Sequence, residues 1–393
     1  MPRRLGVVAN AALVLMCVGV IPLATPSGDA PLSRQEAATA QRAKPKKTPY
    51  DKLAEPWPDA GRLRQRRAEA EALPLFKDVA PLSFTLEADF KAIGRDRDPD
   101  STKQYPATLS VPGHDGAIVT IPVSLNTRGR SRLNPRVCSF VPLGIELPKK
   151  GVKGTPFDGQ QSMKLVTHCQ NDRDHDQYVL LEHLAYRIFN VLTPNSFRTR
   201  LAKGTYVDVT NHRTLSTHNA MFIEDDGDVA RRMEGRVVNL PRLRFDGLDQ
   251  ESLMRLMVFQ YLIGNTDFSI WALHNVGVVA TPNRVLYPIA WDFDLTGLVN
   301  PPYGLPDPRF NISSVRERLY RGPCKSLDEL EPHLTVFRAT QAEVMGLIDS
   351  VPELESRRRD TARGFLNQFY STLARRERLK KELVDKCRPQ ELM

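Results

Sequence analysis

Apolar and polar residues alternate through much of the first half of the chain, then give way to longer spacings. Leu82-Ser-Phe-Thr-Leu-Glu-Ala alternates, as do Ala107-Thr-Leu-Ser-Val and Ala117-Ile-Val-Thr-Ile-Pro-Val-Ser-Leu, with Gly/Asp turns between them. A period of two punctuated by turn residues predicts an antiparallel sheet with one face buried. Leu143-Gly-Ile-Glu-Leu and Met163-Lys-Leu-Val-Thr continue it. From Tyr178 to Leu192 the spacing becomes helical, with Leu181, Leu184, Ala185, Ile188 and Leu192 on one stripe. Two more strands are predicted over Gly204-Thr-Tyr-Val-Asp-Val and Asn219-Ala-Met-Phe-Ile-Glu. Beyond Asp225 helices dominate: Leu248 to Ile263 is apolar and ends at Gly264, and residues 327–351 and 354–387 read as long amphipathic helices. No internal repeat is evident.

The chemistry concentrates just after Gly264. Asp267 and Asn275 share one loop, a short β connection follows (Val276 to Val279, a Thr-Pro-Asn turn, Val285 to Ala290), and Trp-Asp292-Phe-Asp294-Leu-Thr closes it. That is the layout of a kinase catalytic loop followed by a metal-binding loop. Phosphoryl transfer needs an attacking hydroxyl placed in line and phosphate charge neutralised by divalent ions. Magnesium is a hard ion that takes oxygen donors. Asp267 is thus the candidate acceptor of the hydroxyl proton, Asn275 and Asp292 the candidate metal ligands, and Asp294 a support for the site or for a second ion. The Asp-to-Asn spacing is eight residues where protein kinases use five, so the loop is expected to bulge. His274 reads as a residue that packs the loop.

These segments resemble the CotH spore-coat kinase family of atypical, secreted protein-kinase-like proteins, and more distantly the HipA-type kinases. Thr-Arg-Gly-Arg-Ser (127–131) resembles the family's Arg-Gly-x-Ser element, Ser-Met-Lys-Leu-Val (162–166) its lysine-bearing strand, and the helix from near Gln177 the Leu-rich helix that follows. The likeness covers roughly residues 80 to 300. It implies ATP as phosphoryl donor, Mg2+ or Mn2+ as cofactor, and Lys164 held by Glu182 on the nucleotide phosphates. Arg128 and Gly129 would approach the phosphates and Glu224 the adenine. Without the resemblance Lys164 reads as a solvent-facing strand lysine, Arg128-Gly129 as an ordinary turn, and Glu224 as a strand-terminal residue.

Strands with one helix first, helices later and an acidic hairpin at the junction predict an α+β fold, two-lobed and protein-kinase-like. A β-rich N-lobe with one main helix would span 79–226 and a mostly helical C-lobe 227–393. Residues 31–78, rich in Ala, Pro, Lys, Arg and Gln, read as a linker with one short helix near Arg62 to Ala72. Residues 1–30 carry Arg3 and Arg4, an apolar run from Leu5 to Ala24 and small residues after it. This is the pattern of an export signal, with an uncleaved membrane anchor as the alternative. Both place the remainder in a periplasmic, cell-envelope or extracellular setting.

Export changes the reading of the cysteines. Cys138, Cys169, Cys324 and Cys387 form an even set after the leader, and the local pairing is Cys138–Cys169 with Cys324–Cys387. Buried free thiols are the alternative. The formal charge of +9 is spread over 55 basic and 46 acidic residues. No nucleic-acid-reading motif or row of stacking aromatics accompanies it, so the basic surface reads as a solvated face and not a nucleic-acid interface.

The expected activity is ATP-dependent phosphorylation of a secreted or cell-envelope protein, with membrane contact only through an uncleaved anchor. A non-catalytic, nucleotide-binding envelope module is the opposing class. Asp292-x-Asp294-x-Thr296 also matches the nucleophile motif of haloacid-dehalogenase-type phosphatases, and Asp-x-Asp a glycosyltransferase metal site. Both leave the Asp267/Asn275 loop unexplained, and the phosphatase motif normally opens a repeating βα sheet. Acidic residues that merely cap a turn are the plainest alternative.

Overall fold

Strands form where the alternation predicts them, but they close on themselves. The computed structural model describes residues 50–388, so the export signal or anchor and the first part of the linker, 31–49, lie outside the described residues. The barrel strands are β1 (Leu82–Ala88), β2 (Tyr105–Pro112), β3 (Ile118–Thr127), β4 (Leu143–Glu146), β5 (Ser162–Val166), β6 (Thr199–Asp208) and β7 (Thr214–Ile223). Their order is β1-β2-β3-β4-β5-β7-β6. The ring shuts because β1 pairs antiparallel with β2 on one side and parallel with β6 on the other, from Leu82↔Ala202 to Ala88↔Asp208. Alternate residues of β1 (Leu82, Phe84, Leu86 and Ala88) point inward onto Leu109, Ile121, Leu125, Leu165 and Phe222.

The α+β, two-lobed kinase-like fold with a β-rich N-lobe and a mostly helical C-lobe is therefore not the fold of this chain. A closed seven-stranded mixed barrel stands in its place, accompanied by ten α-helices among the described residues. Alternation reports which face of a strand is buried and not which strand lies beside it. Closure leaves no unpaired strand edge to protect. It also demands a close approach at Gly204, opposite Phe84, where an added Cβ would lie 2.4 Å from the Phe84 ring.

The helices are α1 (Asp51–Ala54), α2 (Ala60–Ala72), α3 (Phe90–Arg95), α4 (Arg173–Leu192), α5 (Asp226–Arg232), α6 (Gln250–Ile263), α7 (Leu327–Ala339), α8 (Gln341–Ser350), α9 (Ser356–Leu373) and α10 (Arg376–Leu379). Helix α4 starts where the Asp172 carboxylate accepts the His175 N–H. It packs on β6 and β7 with one side and on α6 and α8 with others, so its buried surface is wider than the predicted stripe. Helix α6 is the apolar centre of a second core that also takes in Phe337, Phe365 and Phe369. A small antiparallel sheet, β10-β9-β8, completes the fold from β8 (Arg236–Val237), β9 (Val276–Ala280) and β10 (Leu286–Ala290). The hairpin of β9 and β10 is where the sequence places it.

Cys138 is bonded to Cys169 and Cys324 to Cys387, the two local pairings. The first ties the β3–β4 connection to the segment before α4. The second fastens the C-terminal end to the approach to α7. Such bonds belong to proteins of oxidising compartments. Among the described residues no helix is long and apolar enough to cross a membrane.

Substituting Gly204→Ala should cost about 1–3 kcal/mol in urea unfolding, because the methyl group meets the Phe84 ring inside a filled barrel. Gly277→Ala on β9, where the nearest atom to an added Cβ is 3.9 Å away, should cost less than about 1 kcal/mol. Equal effects at the two positions would argue against the tight closure.

Candidate active site

Helix α6 ends because Gly264 turns left-handed (φ +65°) and donates its N–H to the Gln260 and Tyr261 carbonyls. The chain then reverses through buried Asn265, whose side-chain amide donates to Gln260 Oε1 at 2.9 Å and whose Oδ1 accepts the Asp267 N–H at 2.8 Å. Buried Arg321 donates from Nη1 to the carbonyls of Thr266 and Phe268, both at 2.7 Å. The backbone around Asp267 is thus pinned on both sides. Its carboxylate remains 39% exposed and borders a groove of about 820 Å³.

The long Asp-to-Asn spacing is absorbed locally. Ser269 and His274 exchange N–H···O bonds at 2.9 Å in both directions, so the four residues between them form a closed loop that buries Ile270 and exposes Trp271. Asp267 and Asn275 therefore meet despite the insertion: Asn275 Nδ2 donates to the Asp267 carbonyl at 2.8 Å and to its carboxylate at 3.2 Å. His274 reaches the other carboxylate oxygen at 3.1 Å. That hydrogen bond holds the His274 pKa above its ordinary value, against the opposing effect of burial.

Both Asn275 and Asp292 are left-handed, with φ +54° and +63°. Short polar side chains tolerate this conformation better than others do. The Trp291 N–H donates to the Asn275 carbonyl at 3.1 Å, which carries the hairpin pairing one step past Ala290↔Val276. The Asp292 N–H donates to the buried Tyr186 hydroxyl of α4 at 2.9 Å. Asp292 is thereby fixed to both the hairpin and the long helix.

Around Asp292 carboxylates crowd together. Burial, and then repulsion from Asp292, raise the Asp294 pKa to about 7. Glu182 on α4 is pushed well up by burial, then by Asp294 and Asp292. Asp292 is also raised, by burial first, while Arg128 and Arg132 oppose the shift and Asp267 adds to it. The Tyr303 hydroxyl lies 3.4 Å from Asp294 Oδ2. Like charges brought together in a poorly solvated space cannot all ionise as easily as isolated ones, so each of these acids keeps its proton to a higher pH than it would in water.

The remaining predicted residues are distributed unevenly. Arg128, just past β3, is near enough to lower the Asp292 pKa, and Gly129 next to it turns with φ +89°. Lys164 lies over the Trp291 ring, 4.9 Å from its centre, but its ammonium pairs with Asp226 at 2.5 Å rather than with Glu182. Glu224 is fully buried and commits its oxygens to Arg198 and Arg232, at 2.6 and 2.9 Å, which leaves no open face for a ligand. Four residues join the site without having been predicted: Arg132, Tyr186, Tyr303 and Arg321. Tyr186 sits on a predicted helix but off its stripe, and the other three have no local signature in the sequence.

The donor chemistry suits a hard divalent cation: oxygen ligands only, with more buried negative charge than neighbouring arginines offset. Among the described residues, however, no three His, Cys, Asp or Glu side chains converge as a ready cage. Magnesium commonly takes one or two carboxylates and draws its other ligands from water and phosphate, so Asp292 and Asp294 with the Asn275 amide oxygen fit that mode of binding. No protein-family model matches the chain, and no curated protein matches it.

An unfolded aspartate ionises near 3.8, whereas Asp294 in the folded protein keeps its proton up to about 7. The folded state binds more protons across that window, so stability falls as pH rises from about 4 to about 7 and then levels off. Asp294→Asn removes this decline. In chelator-treated buffer the variant should exceed wild type by roughly 1–4 kcal/mol at pH 8 and show no gain at pH 4. Urea unfolding at both pH values checks it, and parallel pH profiles for the two proteins would refute a buried, protonated Asp294.

Proposed function

We propose that the chain is a divalent-cation-dependent phosphotransferase that moves the γ-phosphoryl group of ATP to a hydroxyl of a secreted or cell-envelope protein. This is the activity that the CotH resemblance implies, carried here on a barrel scaffold. One observation carries it: a partly exposed carboxylate at an open groove, Asp267, stands beside half-buried Asp292 and buried Asp294, with Asn275 bonded to Asp267 and Arg128 close to Asp292.

Asp267 is the group placed to accept the proton of the attacking hydroxyl as its oxygen bonds to the γ-phosphorus and ADP leaves. Asn275 and His274 fix the carboxylate from two sides, so it needs little reorganisation during transfer. Asp292, Asp294 and the Asn275 amide oxygen would hold the cation. Bound there, Mg2+ or Mn2+ would neutralise phosphate charge and align the triphosphate. Arg128 adds a fixed positive charge beside Asp292. Lys164 must exchange Asp226 for a phosphate if it is to take part.

That Lys164–Asp226 pair is the one specific observation favouring a non-catalytic, nucleotide-binding module. The phosphatase reading finds less support. The strand before Asp292 belongs to a three-stranded antiparallel sheet and not to a repeating βα sheet, and Thr296 is wholly buried. Both disulfides accord with an exported protein at the cell envelope or beyond it.

Asp267→Asn should lower phosphate transfer by about 10²–10⁴-fold while leaving cation-dependent ATP binding within a few-fold of wild type. Asp292→Ala should weaken that binding by about tenfold or more. Radiolabelled ATP with envelope-protein extracts, beside equilibrium dialysis of the nucleotide, reads both quantities. Cation-dependent binding with no transfer by wild type would favour the non-catalytic module. Hydrolysis of a simple phosphomonoester that is lost in Asp292→Asn would favour the phosphatase.

A further inference from the structure

A cavity of about 620 Å³ opens where α9, α10 and the segment before α7 meet. Five basic side chains border it, against three acidic ones. Two of the acids are already engaged. Glu382 pairs with Lys386 at 2.9 Å, and Glu317 accepts the Ser313 N–H at 2.8 Å together with its hydroxyl. That leaves Arg316, Arg318, Arg378 and Lys381 against Glu377, and among the described residues none of these four cations has a carboxylate within ion-pairing distance.

Two of the cations are held close together. The guanidinium groups of Arg316 and Arg318 lie against one ring, that of Phe365, at 4.8 and 3.7 Å from its centre. Arg318 commits its N–H groups to neutral acceptors, the carbonyls of Leu262 and Phe365 and the side-chain oxygen of Gln368. Those bonds close the end of α6 but bring no full negative charge. Burial lowers the Arg318 pKa to about 10, and the charge of Arg316 adds to the fall. Arg316 itself makes one long bond, 3.4 Å to the Gly297 carbonyl. The exposed side chains of Arg378 and Lys381 make no hydrogen bond among the described residues. Cations gathered around a concave space without counter-charge attract anions to it. A guanidinium fork matches the oxygens of a phosphate group two at a time.

We propose that this cavity is a binding site for a small polyanion, several phosphate groups in series, held by charged hydrogen bonds from Arg316, Arg378 and Lys381. A single phosphate would meet only part of the unpaired charge, whereas a short chain of them can reach all three side chains within a cavity of this size. The site is separate from the groove at Asp267, with which it shares no bordering residue. It also differs in chemistry. Cations of the protein bind the phosphates directly here, so no divalent metal is needed, whereas the acidic cluster requires one.

Calorimetry on the full chain with sodium tripolyphosphate and with inorganic phosphate, both in the presence of chelator, tests the assignment. Tripolyphosphate should bind saturably, one molecule per chain, at least about tenfold tighter than inorganic phosphate, and more weakly as salt is added. Arg378→Glu and Lys381→Glu, at exposed side chains with no partner to lose, should each weaken it at least about tenfold. Lys150→Glu alters the net charge equally at an exposed position away from the cavity and should change the affinity less than about twofold. Asp292→Ala should leave tripolyphosphate binding unchanged, so failure here would not touch the phosphotransferase reading. Non-saturable binding, equal affinity for the two probes, or retention of full affinity in Arg378→Glu and Lys381→Glu would overturn the proposal. So would a loss in Lys150→Glu as large as theirs, which would mean diffuse attraction to a basic chain.

Discussion

Glu182 and Asp294, both buried, and half-buried Asp292 bring three carboxylates together at the meeting point of α4, the β9–β10 hairpin and the β3–β4 connection. Repulsion between charges grows as the surrounding medium becomes less polarisable, so this arrangement is costly unless protons or cations are taken up. The protein offsets part of the cost with Arg128 and Arg132 and leaves the rest as raised pKa values. Replacing buried charge by well-packed apolar side chains is often neutral or stabilising, so a cluster of this kind is a poor source of stability. Charge retained under such repulsion is a frequent mark of a functional site.

Much of the surrounding architecture keeps these groups from escaping. Tyr186 binds the Asp292 backbone from α4, and Arg321 binds two carbonyls around Asp267 from a distant part of the chain. Left-handed Asn275 and Asp292 hold a conformation that most residues avoid, and non-glycine residues in that region cluster at functional sites. Gly264 and Gly297 let two segments lie side by side, the Gly297 N–H donating to the Gly264 carbonyl at 3.0 Å. A Cβ on Gly297 would come within 2.6 Å of the Val315 carbonyl. Rigidity at Asp267 thus comes from packing well away from the loop that bears it.

Local patterns in the sequence locate the strands, the long helix α4, the apolar helix α6 and the hairpin, because each depends on its own periodicity. Barrel closure was hidden from that pattern. It rests on the parallel pairing of β1 with β6, two segments separated by more than a hundred residues, and on Gly204 yielding space to Phe84. The acidic loop was legible through the spacing of Asp267, Asn275, Asp292 and Asp294. Arg132, Tyr303 and Arg321 were not, since each acts through a contact made only after folding. Glu224 shows the opposite error: its place at the end of β7 matched an expected nucleotide contact, yet two arginines consume its carboxylate.

Lys164 and Glu182 show why a motif does not fix its own geometry. Both lie on the elements where the sequence puts them, β5 and α4, yet each faces a different partner. Glu182 sits deep beside Asp294, where burial pushes it toward its protonated form and weakens its pull on a lysine. Lys164 is drawn outward to Asp226 at the start of α5, a carboxylate 50% exposed. A pair in the interior must first lose the water around both charges, a cost that the partly exposed Lys164–Asp226 pair largely avoids. Any approach of Lys164 toward the acidic cluster therefore requires its bond to Asp226 to break first.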